Sequence, residues 1–209
     1  MKRLLPVLLL IALSSATNAQ QDPVIKFTKS YFRSNPFNMT FGAFVEHVMR
    51  DPTLRAKSTH LRTDTSLFTF AGTYASFNPF GFKPSRVDVA LVEQNVQLYE
   101  GRPQGDTIML YVIIAYADSS AKGEADIKKE YERILRKGSR MFFDVKYEQL
   151  SDQDVSGGVA NFFVNYAQLS PVTLEWITGL VKQPVLRLTL RIRSRGNEAV
   201  LPMSLYDSQ

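Results

Sequence analysis

The sequence predicts an α+β fold: a mostly antiparallel sheet with about three helices and a C-terminal β-hairpin at a sheet edge. Three observations lead there. Two stretches carry apolar residues at helical spacing: Phe41, Phe44, Val45 and Val48, then Ile127, Tyr131, Ile134 and Leu135. Between and after them lie runs of strand type, among them the almost continuously apolar Thr107–Ala117. The C-terminal segment "VLRLTLRIRSRGNEAVLPMSLYD" alternates cleanly about Gly196-Asn197, a two-residue hairpin loop.

Along the chain, residues 1–19 read as a cleavable secretion signal. Lys2 and Arg3 precede an apolar run from Leu4 to Leu13, too short to cross a bilayer, and small residues lead to a predicted cleavage after Ala19. Residues 20–209 are then expected as a single α+β domain, with a subdivision near 118–124 as the alternative. Residues 20–36 show no clear period and are predicted to be an extended lead-in. Thr40 can cap the first helix and Asp51-Pro52 can stop it. Strands are predicted within Ser66–Phe77, Ser85–Glu100 and Thr107–Ala117, with a turn at Arg102–Asp106. The second helix holds Glu124/Lys128 and Glu132/Arg136 as i,i+4 pairs, and Gly138 reads as its stop. "RMFFDVKYEQL" and "VANFFVNYAQL" are strand candidates around a polar loop at Ser151–Gly158. Ser170-Pro171 predicts a third helix carrying Trp176, Ile177, Leu180 and Val181.

In the terminal hairpin Leu186, Leu188, Leu190 and Ile192 share one face, and Arg187, Thr189, Arg191 and Arg193 the other. A two-residue loop sets Ile192 opposite Leu201, Leu190 opposite Met203 and Leu188 opposite Leu205, so apolar meets apolar. Pro202 cannot donate to a ladder, which makes the last strand an edge.

The triplet Asn-Pro-Phe occurs twice, at Asn35 and Asn78, each time with a tyrosine four residues before, Tyr31 and Tyr74. The first copy continues into a helical pattern and the second into a strand pattern, which argues against a full duplication. Turn chemistry explains the shared spelling: asparagine bonds backbone close by and proline presets φ.

The chain has no cysteine, which excludes disulfides, thiolate metal sites and cysteine nucleophiles. Without Lys2 and Arg3 it keeps 23 basic against 20 acidic residues, a net of +3 that gives no reason to expect nucleic acid. No glycine-rich phosphate loop, nucleophile elbow or zinc-binding helix motif is present. His47 with Asp51, and His60 with Asp64, are spacings that chance supplies; Asp152 and Asp154 lack the ligand pattern of a calcium loop. The reading therefore names no catalytic residue, no metal ligand and no cofactor. Its candidate binding residues are the aromatic loop Phe77, Phe80 and Phe82, and the basic stripe Arg187, Arg191 and Arg193. Inward packing of the loop and a solvated strand face are the alternatives. The expected function is a non-enzymatic binding or interaction module, exported to a bacterial periplasm or beyond. Its expected partner is an envelope protein, a glycan or an anionic lipid surface, with no transmembrane segment once the signal is removed. An envelope hydrolase, or a carrier of an apolar ligand such as a lipid, are the alternatives.

Overall fold

A computed structural model describes residues 22–63, 67–94, 107–152, 155–179 and 183–202. The proposed signal, the Arg102–Asp106 turn, Asp64, Asp154, Met203 and Leu205 lie outside the described residues.

Helix α1 spans Pro23–Tyr31, inside the stretch predicted to be extended. Asp22 Oδ1 accepts the Val24 N–H (2.8 Å), and Pro23 stands in the first turn, where its missing donor costs nothing. Val24, Phe27, Thr28 and Tyr31 form the buried face. Helix α2, Phe41–Met49, starts where Thr40 caps the Ala43 N–H (3.3 Å) and ends at Arg50, as its spacing predicts.

Asp51 closes that passage. Its Oδ1 accepts from the Thr53 N–H (2.8 Å) and Oγ1 (2.7 Å), and its Oδ2 pairs with Arg33 Nε (2.7 Å). Burial acts to raise the Asp51 pKa, but the Thr53 bonds and Arg33 outweigh it, and the net shift is downward. A depressed carboxylate contributes stability above the ordinary carboxylate range of about pH 4 and loses it as pH falls through the folded value. Asp51→Asn should therefore lower stability by about 1–2 kcal/mol at pH 7. The gap between the urea midpoints of variant and parent should shrink as pH falls from 7 through the carboxylate range; a gap that stays constant over that range would contradict the charge argument.

Strands β1 (Leu54–His60), β2 (Thr69–Tyr74), β3 (Arg86–Glu93) and β4 (Ile108–Tyr116) form one antiparallel meander. Helix α3 (Ala121–Ser139) follows, then a second meander of β5 (Asp144–Asp152), β6 (Val155–Phe163), β7 (Val172–Gly179) and β8 (Val185–Arg195), with the short β9 (Glu198–Val200). The sheet order is β1-β2-β3-β4-β8-β7-β6-β5. The last strand of each meander meets at the centre, where β4 and β8 pair from Ile108↔Arg193 to Tyr116↔Val185. The chain leaves the first meander at 117–120, which overlaps the 118–124 stretch, and the sheet is continuous through the β4–β8 pairing.

The helices share one face of the sheet. Met109, Tyr111, Ile113 and Ala115 of β4 turn to that side with Leu186, Leu188, Leu190 and Ile192 of β8, all buried. Tyr111 packs on Phe32 (4.8 Å between ring centroids) and Phe44 (5.2 Å). Phe162 packs on Phe27 (5.8 Å) and Phe142 (5.2 Å). Continuous apolarity in β4 thus reflects a central strand, as predicted: Ile108 and Val112, on the other face, are also buried.

Four expectations need correction. Residues following Ser170-Pro171 form β7 and not a helix. The Ser170 hydroxyl donates to the Phe162 and Val172 carbonyls (3.0 and 2.6 Å) and does not cap, and Val172, Thr173, Ile177 and Thr178 favour the strand. Within Ser151–Gly158, Ser151 and Asp152 end β5 and Val155 to Gly158 begin β6, with strand pairing up to Asp152↔Val155. Gly138 lies inside the last turn of α3, whose C-cap is Arg140; a Cβ on it would collide with the edge of the Phe162 ring. The terminal hairpin turns at Gly196-Asn197 as predicted, but β9 pairs only Arg193 to Arg195. From Leu190 downward that side of β8 belongs to β7: Leu190 faces Val172 and Leu188 faces Leu174, not Met203 and Leu205.

Candidate ligand-binding cleft

Side chains at both Asn-Pro-Phe triplets do what turn chemistry requires. Asn35 Oδ1 accepts the Phe37 N–H (3.1 Å) before α2, and Asn78 Oδ1 accepts the Phe80 N–H (3.0 Å) between β2 and β3. Asn78 Nδ2 also donates to the Phe82 carbonyl (2.7 Å). Phe80 is only 7% exposed and packs against Phe82 (6.0 Å), while Phe77 and Phe82 are half-buried against the core. Glu130 of α3 holds the loop from the helix side by accepting the Gly81 N–H (2.9 Å).

The basic stripe lies on the opposite face of the sheet. Arg187 Nη1 meets Glu175 Oε2 across the strands (3.2 Å), and Arg191 Nη1 donates to the Ser170 carbonyl (2.7 Å) and Thr173 Oγ1 (3.0 Å). Arg193 is buried. The fold therefore does not bring the aromatic loop and the arginines into one site. His47 and His60 are both exposed and lie on different elements, and Asp51 is already engaged by Arg33 and Thr53. Among the described residues no group of three or more histidine or acidic side chains could hold a metal ion.

What the fold does build is a cleft of about 540 Å³ between α3 and the β5–β6–β7 end of the sheet. That volume suits a small ligand. Gly157 and Gly158 on β6 leave part of its floor without side chains. Trp176 of β7 lies across that gap: a Cβ on Gly158 would stand 2.5 Å from the indole Nε1 and 3.3 Å from the Tyr131 hydroxyl. Tyr131 meets Trp176 edge-on (6.2 Å), and Lys128 Nζ sits 5.0 Å from the indole centroid. Tyr147 on β5 closes the outer side and is 70% exposed. Glu132 and Gln149 add hydrogen-bonding groups. Burial raises the Tyr131 pKa, so its hydroxyl stays protonated at neutral pH and can act as a donor.

Sequence reasoning missed this cleft. Trp176 was expected on a helix and Gly158 in a loop. The available signals were the Gly157-Gly158 pair at the head of the strand candidate, which marks close approach of another group, and the β-branched run around Trp176.

A second cleft, about 570 Å³, opens between α2 and the ends of β3 and β4. Phe41, Val45, Met49, Phe68 and Met109 make it apolar. Glu93, buried in its wall, pairs with Arg62 (3.1 Å) and accepts the Phe68 N–H (3.1 Å).

No family model, no curated protein and no solved structure matches this chain. Among the described residues no helix is long and apolar enough to cross a membrane.

Proposed function

We propose that the protein is an exported ligand-binding module of the bacterial envelope, and that its ligand is a glycan held in the cleft beneath α3. The composition of that cleft carries the reading. Sugar rings combine a flat C–H face, which stacks on aromatic rings, with hydroxyls that need hydrogen-bond partners. Trp176, Tyr131 and Tyr147 supply the first; Lys128, Glu132 and Gln149 supply the second. Export rests on the pattern of residues 1–19.

Trp176 is the single tryptophan of the chain, so its emission reports on the cleft directly. Titration with oligomers of β-1,4-linked glucose or N-acetylglucosamine should shift that emission saturably. Tyr147→Ala, at an exposed site, should weaken the binding about 10-fold, close to 1.4 kcal/mol. Unchanged emission with both sugar series, or full affinity in the Tyr147 variant, would overturn the proposal.

One observation favours a second reading, the carrier of an apolar ligand: the second cleft gathers Phe41, Val45, Met49, Phe68 and Met109, with Glu46, Arg50, Arg62, Glu93 and Thr107 as its polar lining. Oleate that bound without altering Trp176 emission, and was lost on Val45→Arg, would support that reading over the glycan.

A further inference from the structure

The sheet ends in two unlike edges, β1 and β5. Edge strands invite pairing by other strands unless something blocks them. On β1 the register shifts between Arg55 and Ser58, and Ala56 adopts a positive φ (47°), so a bulge breaks the edge. Lys57 folds back onto the Met49 and Asp51 carbonyls. On β5 there is no such break. Its nine residues pair with β6 in unbroken register, it holds no proline, and Lys146 to Leu150 are all exposed.

Lys146 and Glu148 are the charges in the middle of this edge, with Asp144 and Asp152 at its two ends. Against an arbitrary strand they deter pairing. Against a second copy of β5 their effect depends on register. The Val145 N–H donates to Asp144 Oδ1 (2.8 Å), outside the ladder with β6, which places odd-numbered N–H groups on the free edge. Two such edges bond when odd residues face odd residues. Centring the pair on Lys146 or on Glu148 sets like charges directly opposite. Centring it on Tyr147 sets Lys146 opposite Glu148 twice, on one face. It also sets tyrosine against tyrosine on the other face, and Val145 opposite Gln149. The Lys146/Glu148 positions are then non-hydrogen-bonded pairs, where side chains approach most closely.

We propose that β5 is a self-association edge: two copies join antiparallel through β5 about a two-fold axis at Tyr147, extending the sheet across both molecules. The interface is isologous, and each copy supplies both charges of the complementary pairs. The edge adjoins the cleft, whose lining includes Tyr147, Glu148 and Gln149.

Charge reversal tests it, at exposed positions that do not threaten folding. Sedimentation velocity on the purified protein should show a concentration-dependent monomer–dimer equilibrium. Lys146→Glu alone and Glu148→Lys alone should each weaken the dimer about 10-fold or more, because attraction becomes repulsion at both symmetry-related pairs. The double variant Lys146→Glu with Glu148→Lys should restore it. A parent protein that stays monomeric at all concentrations overturns the proposal. So does a dimer indifferent to Glu148→Lys, as a register centred on Gln149 would give, or a double variant no tighter than the single ones.

Discussion

Replacing Phe162 by alanine should remove about 3–5 kcal/mol of folding free energy. That is a large share of the roughly 5–15 kcal/mol that holds a typical domain together. The ring is fully buried and touches Phe27 of α1 and Phe142 before β5, so it joins the second meander to the N-terminal helix. Gly138 of α3 exists in relation to it. Alanine there would gain about 1 kcal/mol of helix propensity. Its Cβ, however, would collide with three atoms of the Phe162 ring. Overpacking of that kind costs about 1–3 kcal/mol, so the sign of Gly138→Ala should be destabilising. With Phe162→Leu in place the collision is relieved, and Gly138→Ala should turn neutral or stabilising. Urea midpoints at unchanged slope measure all of these. A Phe162→Ala loss below about 1 kcal/mol would mean that this aromatic cluster is not a core joint.

The same pair shows why parts of the fold were legible and others were not. Gly138 near the end of a periodic run reads as a helix stop from local grammar alone. Its actual role depends on a ring 24 residues away that only the folded sheet brings there. Where one face of an element carries its own pattern, the reading succeeds. The α2 spacing, the alternation in β8 and the run in β4 each announce a buried face. Strand β1 went unread because only Leu54 among its seven residues is buried, so it has no alternation to show. Helix α1 was hidden by Pro23, which reads as a breaker yet sits in the first turn, and by Thr28 on its buried face. In β7, Ser-Pro imitates a helix start, and Trp176 and Ile177, neighbours on a helix face in that reading, point to opposite sides of a strand. The cleft was illegible for a further reason. Tyr131, Tyr147, Gly158 and Trp176 come from four elements, and no spacing along the chain encodes their meeting.

Glu130→Leu should cost about 3 kcal/mol and release the second Asn-Pro-Phe loop from α3. Glu130 is 4% exposed and accepts three hydrogen bonds: Arg133 Nε to Oε2 (2.7 Å), Arg133 Nη2 to Oε1 (2.6 Å) and the Gly81 N–H to Oε1. The two bonds to Glu130 raise the Arg133 pKa against its own desolvation. The ion pair by itself is a weak source of stability, since Arg133 is nearly half exposed and can turn to water when its partner is lost. Gly81 is itself exposed, but its N–H points inward at the buried Glu130 carboxylate, and Phe80 beneath it resists turning that donor outward. Most of the loss should therefore come from the orphaned backbone donor. Two measurements separate the contributions. Adding Arg133→Leu to Glu130→Leu should recover less than half of the lost stability, because the amide stays unpaired. Hydrogen exchange at Gly81 should accelerate in both variants while the β4 amides stay protected. Full recovery in the double variant, with Gly81 exchange unchanged, would locate the cost in the ion pair and leave Phe80 alone holding the loop.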